Sequence, residues 1–200
     1  MTSSLPAGLR ERKKAKTRAT IREQAMRLFA EQGYAETTVD QIAEAAEVSQ
    51  STFFRYFPTK EDVVITDDYD GLILDAMRAQ PAGMHPAQVL RRSIRQIFDG
   101  ISPAEWEAEQ RRQQLFHVVP ELQARVMQQY AIMIGLVAEV IAERAGLRPD
   151  DFSARVMAGA LIGAALASSP DAMTGRSRLS DFDRLDRAME LLEAGLPLGP

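Results

Sequence analysis

Apolar side chains recur every three or four positions along most of the chain, and no segment alternates with a period of two. Ile21, Ala25, Leu28 and Phe29 mark one face of a helix from about Lys16 to Gln32, closed by Gly33. Val39, Ile42, Ala43 and Ala46 mark a short second helix, entered through Thr38-Val-Asp-Gln41, which has the form of a capping box. Ser49 caps a third helix that stops near Tyr56, ahead of Pro58. Thr59-Lys-Glu-Asp62 opens a longer one with Ile65, Tyr69, Leu72, Ile73 and Ala76 inward, ended by Gln80-Pro-Ala-Gly83. Leu90, Ile94, Ile97, Phe98 and Ile101 form the next stripe, and Ser102-Pro-Ala-Glu105 starts a further helix. Leu122, Val126, Tyr130, Met133, Val137 and Ile141 then mark a long helix to Gly146. Phe152 to about Ser168 is apolar nearly all round, and Phe182, Leu185, Met189 and Leu192 define a last amphipathic helix ending at Gly195. The pattern predicts an all-α fold of about nine helices without a sheet.

Residues 39–57 read as helix, tight turn, helix. A small Ala43 sits where the two helices cross, and Ile42, Val48 and Phe53 fix the angle from inside. In a helix-turn-helix the second helix enters the DNA major groove with its N-terminal residues foremost, so Gln50, Ser51 and Thr52, behind the cap Ser49, face base edges and phosphates. Phe53 and Phe57 lie one turn apart and anchor this helix, while Arg55 and Tyr56 reach the DNA backbone. Charge supports that picture. Residues 1–60 hold ten basic and seven acidic side chains, a net +3, whereas residues 61–200 carry −7. A flexible basic arm over residues 1–14, with Lys14 and then Arg18, is placed to follow the duplex, and Lys60 adds a cation near phosphate.

The strings "LFAEQGYAETTVDQIAEAA" and "VSQSTFFRYFPTKEDV" resemble the TetR family of bacterial transcriptional repressors. The resemblance is close over residues 15–64 and extends to the rest only in helix count. It implies a helix-turn-helix domain over residues 15–60 and an effector-binding and dimerisation domain over residues 61–196. It also implies DNA contacts from Thr38, Gln50, Ser51, Thr52, Tyr56 and Lys60, with Arg55 beside them. The implied partners are a palindromic double-stranded operator, a second copy of the chain and a small effector, acyl-CoA-like in some related regulators. Two positions depart from the family pattern. Glu47 stands in the turn where glycine is frequent, and Phe54 where many members have a phosphate-binding tyrosine.

In the C-terminal part, Gly159, Ala160 and Gly163 form a small-residue face for close helix packing. With Leu185 and Met189 it suits a four-helix dimer contact; the alternative is a central core helix of the same subunit. Phe98, Trp106, Phe116, Tyr130, Met133 and Met157 are candidates to line an effector cavity, or are plain core; His117 joins them or is a polar helix-end residue. Arg111 and Arg112 either meet an anionic group at its mouth or are simply exposed. Asp67, Asp68, Asp70 and Asp75 read as an exposed acidic face, not a metal site.

Nothing in the sequence suggests catalysis or a cofactor. There is no cysteine, no phosphate-cradling glycine loop, and the only histidines, His85 and His117, have no arranged partners. The nearly unbroken apolar run from Val156 to Ala167 is twelve residues, short of a bilayer span, and a cytoplasmic protein without membrane contact is expected. The competing readings are an all-helical enzyme and a protein-binding adaptor.

Overall fold

The computed structural model describes residues 7–66, 69–168 and 181–197, and every regular element among them is helical. The helices are α1 (Ala7–Gln32), α2 (Val39–Ala45), α3 (Gln50–Tyr56), α4 (Lys60–Ile65), α5 (Tyr69–Ala79), α6 (Pro86–Phe98), α7 (Pro103–Val118), α8 (Pro120–Ala145), α9 (Phe152–Ser168) and α10 (Asp181–Glu193). They fall into two compact units, residues 1–66 and 67–200.

The tenth helix arises because the segment opened by Thr59 is not continuous. At Thr66 the backbone turns extended (φ −68°, ψ 121°), and the Thr66 hydroxyl bonds back to the Asp62 carbonyl. Arg22 then takes the carbonyls of Val63 (3.1 Å) and Thr66 (2.6 Å). A threonine offering its own hydroxyl, plus a guanidinium capturing terminal carbonyls, ends a helix that apolar periodicity alone would continue. The following residues, Asp67 and Asp68, lie outside the described part.

α1 begins at Ala7, so the part of the expected flexible arm described here, residues 7–14, is helical. Among the described side chains these turns bury nothing: Arg10, Arg12, Lys13, Lys14 and Lys16 are all exposed, and the first buried apolar one is Ile21. A helix with no packed face leaves no periodic signature. From Ile21 onward, α1 supplies Ala25 and Phe29 to a core shared with Ile42, Ala43, Phe53, Phe57, Val63 and Val64.

In the second unit α8 packs on α9, α9 on α10, and α6 on α5 and α10, around Met77, Leu90, Val137, Val140, Ala158, Leu161 and Met189. Arg144 at the end of α8 closes α5, donating to the carbonyls of Met77 (3.0 Å), Gln80 (2.7 Å) and Pro81 (2.7 Å). Arg91 and Arg95 on α6 pair with Asp186 and Glu190 on α10 and fix its register. α8, rather than the run at 156–167, has the length and apolar composition to cross a bilayer; its second half, Val137 to Ala142, packs into the core.

Two residues expected at a dimer contact face the other way. Leu185 (8% exposed) and Met189 (1%) are buried against α6 and α9 in their own subunit. An apolar stripe satisfies its nearest partner first, and on α10 that is the intramolecular core. The outward side of α10 carries Arg184, Arg187, Ala188 and Leu191. With Ala164 and Ala167 of α9 and Leu196, they line an open groove of about 440 Å³. Ala160 and Gly163 are exposed on α9 and Gly159 half-exposed, beside the open side chains of Phe152 and Val156.

Candidate nucleic-acid interface

The short helices of the first unit are set by their ends. Thr38 and Gln41 form the expected reciprocal capping box at the start of α2. At its other end the Val48 N–H bonds the Ala43 carbonyl (2.9 Å) and the Glu47 N–H the Glu44 carbonyl (3.0 Å). That paired bonding demands a left-handed residue between them, and Glu47 holds φ 54°. A non-glycine residue there costs on the order of 1 kcal/mol. Glu47→Gly is therefore expected to raise the stability of this unit by about that amount, and to strengthen DNA binding by removing a negative charge from the turn. Urea unfolding and duplex titration check it; a fall in both would contradict the strain.

Ser49 caps α3, its hydroxyl accepting from the Thr52 N–H (3.1 Å) and lying 2.9 Å from the Ser51 hydroxyl and 3.0 Å from that of Thr52. Phe53 and Phe57 are fully buried, and they orient everything else on the helix. Gln50, Ser51, Phe54 and Arg55 stand exposed, Thr52 and Tyr56 partly so. The Arg55 guanidinium lies 5.5 Å from the Tyr56 ring centre and 3.4 Å from the Thr52 hydroxyl. The leading end of α3 thus presents an amide and hydroxyls, and its last turn one cation, the donor and acceptor types that base edges and phosphates pair with.

Two expected phosphate cations also hold internal partners. Arg18 donates to the Tyr56 carbonyl (2.9 Å) at the end of α3 and lies over the Phe57 ring at 4.4 Å. It locks α3 onto α1. Lys60 donates to the carbonyls of Tyr34 (2.9 Å) and Thr37 (3.0 Å), with its ammonium 4.1 Å from the Tyr34 ring centre. It fastens the loop before Thr38 to the start of α4. Beside it, Glu61 accepts from the Tyr34 hydroxyl (3.1 Å). Burial pushes the Glu61 carboxyl up, but hydrogen bonds to its backbone, Thr59 and Tyr34, with the Lys60 charge, hold it below the usual carboxylate range. Lys14 keeps its predicted exposure.

In the second unit the expected effector-lining residues divide. Phe98 and Trp106 pack ring against ring (5.9 Å), and Phe182 lies 5.1 Å and 5.8 Å from them; Tyr69 covers Phe98 at 5.5 Å. They form an aromatic cluster closing on itself. Met133 and Met157 pack against the core, and burial pushes the half-buried Tyr130 hydroxyl up. Phe116 and His117 are on α7, with side chains outside the described part.

α7 itself holds what the sequence did not disclose. Arg111 is exposed, but Arg112 (4% exposed) is buried in a two-pronged pair with Glu109 (9%), which also accepts from Gln113 (2.9 Å). The signal was there: Glu109, Arg112 and Gln113 share one side of a helix that lacks an apolar stripe, so its inward side had to be polar. On α6 the Ser93 hydroxyl is buried without a hydrogen-bond partner.

Residues 21–65 match the family model described as bacterial regulatory proteins, tetR family, and residues 84–197 match that described as MftR C-terminal domain. The HTH-type transcriptional regulator TcmR of Streptomyces glaucescens is 37% identical over 151 residues, covering 72% of this chain and 67% of that protein. Thermus thermophilus FadR, a TetR-family transcriptional repressor solved in complex with lauroyl-CoA, is 30% identical with a TM-score of 0.51, over 92% of this chain and 96% of its own. The fatty acid degradation regulator FadR of Bacillus halodurans shares the fold at 21% identity, with a TM-score of 0.56 over 90% of this chain and 96% of its own.

Proposed function

Because the chain belongs to the TetR family of bacterial regulatory proteins, we propose that it represses transcription by holding a palindromic operator as a homodimer and releasing it when a small amphipathic effector binds. It is a transcriptional regulator and not an enzyme. The observation that carries the proposal is the capped α3, where buried Phe53 and Phe57 leave Gln50 and Ser51 pointing outward at the leading end and Arg55 outward in the last turn. A DNA-reading bacterial protein works in the cytoplasm, where the chromosome is.

An operator of two half-sites calls for a two-fold protein. The outward small-residue face of α9, with Gly159, Ala160 and Gly163, and the α9–α10 groove next to it supply an apolar surface suited to a second copy. Joint replacement Ala160→Glu and Leu191→Glu is expected to give monomers by sedimentation and to cut affinity for a full operator more than tenfold, leaving half-site binding unchanged. A double variant that remains a dimer would place the contact elsewhere.

For the effector, lauroyl-CoA bound by Thermus FadR suggests an acyl chain with a charged head. The buried Glu109–Arg112 pair and the Ser93 hydroxyl favour the same class, because an interior meant only for hydrocarbon has no use for them. Phe116, His117, Tyr130, Met133 and Met157 remain the proposed surroundings of that site, with the closed cluster of Phe98 and Trp106 as its wall. Effector and operator then oppose each other by one coupling free energy. Selection of bound sites from a random duplex pool, followed by challenge with lauroyl-CoA, tests the proposal. It expects an enriched palindrome with half-sites about 34–36 Å apart or a multiple of it, released by the acyl-CoA; a pool without enrichment would reject it.

A further inference from the structure

Only two large apolar side chains stand exposed among the described residues of the first unit, Leu9 and Phe54, and Phe54 is 47% exposed on α3 itself. It lies four positions after Gln50 and three after Ser51, which puts it on their side of the helix, one turn on. The ring is braced rather than loose. It meets the fully buried Phe53 edge-on, with centroids 5.5 Å apart and planes at 88°.

A phenyl ring has no donor or acceptor, so it bonds neither phosphate nor the polar atoms of a base edge. The one apolar feature that base pairs display in the major groove is the C5-methyl group of thymine. We propose that Phe54 is a specificity-determining residue that packs on a thymine methyl at a fixed position of each half-site. The inference rests on α3 being the reading helix. One helical turn advances about 5.4 Å and one base step about 3.4 Å, so the thymine lies one or two steps from the base facing Gln50. Polar readout by Gln50 and apolar readout by Phe54 would then specify neighbouring base pairs by different chemistry.

The test uses the duplex selected by the full chain and replaces its thymines singly by deoxyuridine, which removes only the methyl group. Losing one buried methyl weakens binding about fourfold per half-site. One thymine in each half-site should show that loss. Phe54→Ala should bind the thymine and deoxyuridine duplexes equally, and Phe54→Tyr should keep the discrimination, since it keeps the ring. Phe54→Tyr, which keeps the ring and its edge-on contact with Phe53, should also unfold at the wild-type temperature. Selected half-sites without thymine, a wild-type protein indifferent to every deoxyuridine, or Phe54→Ala with its discrimination intact would each overturn the inference while leaving α3 as the reading helix. A full chain that selects no duplex would instead remove that premise, and the inference with it.

Discussion

Phe53→Ala is expected to cost the first unit about 3–5 kcal/mol and to abolish operator binding. The side chain is fully buried, with its ring 6.0 Å from that of Phe57, and between them these rings hold α3 in place. A unit of 66 residues has only about 3–10 kcal/mol of stability. Emptying its centre therefore takes away much or all of the margin. The molecule carries its own control, since its single tryptophan, Trp106, lies in the second unit. In a urea titration, far-ultraviolet circular dichroism should show part of the helix melting early, while Trp106 fluorescence keeps the wild-type midpoint. Wild-type stability and affinity in this variant would mean that α3 is not held by its rings.

The second large effect concerns charge. Changing Arg10, Arg12, Lys13, Lys14 and Lys16 to glutamine should weaken duplex binding on the order of 100-fold at 0.1 M salt, and flatten the plot of log affinity against log salt by about 0.9 for each phosphate no longer neutralised. These side chains are all exposed on the first turns of α1, before Ile21 enters the core. The unfolding midpoint should not move. Arg18 is left out of the set because its bond to the Tyr56 carbonyl makes it part of the frame that carries α3. An unchanged salt slope would show that the basic turns of α1 do not touch the duplex.

The contrast between those five cations and Arg18 marks where sequence stops being informative. Helix ends were legible because capping is local: Thr38 with Gln41, Ser49, and Ser102 with Glu105 act within a few residues of chain. The left-handed turn at Glu47 was legible through the family resemblance, which puts glycine in that place. α9 spans the predicted Phe152–Ser168. What a long side chain reaches is not local. Arg18 and Lys60 read as phosphate cations because sequence records their charge, but not that carbonyls from residues 56, 34 and 37 lie within 3.0 Å of them. Leu185 and Met189 fail in a related way. Periodicity showed an apolar stripe on α10 without showing whether its partner is the same subunit or another. At Arg112 the missing apolar stripe implied a polar inward side, but not whether Arg111 or Arg112 would occupy it.

The proposed function turns on one property, a joint grip on a DNA duplex by the leading end of α3 and the basic turns of α1. Equilibrium titration of the full chain with a selected and a scrambled duplex, from low to physiological ionic strength, measures it directly. Both duplexes should bind at low salt, with affinities that fall steeply as salt rises until only the selected one is retained. A protein that leaves every duplex unbound at low ionic strength would contradict the account.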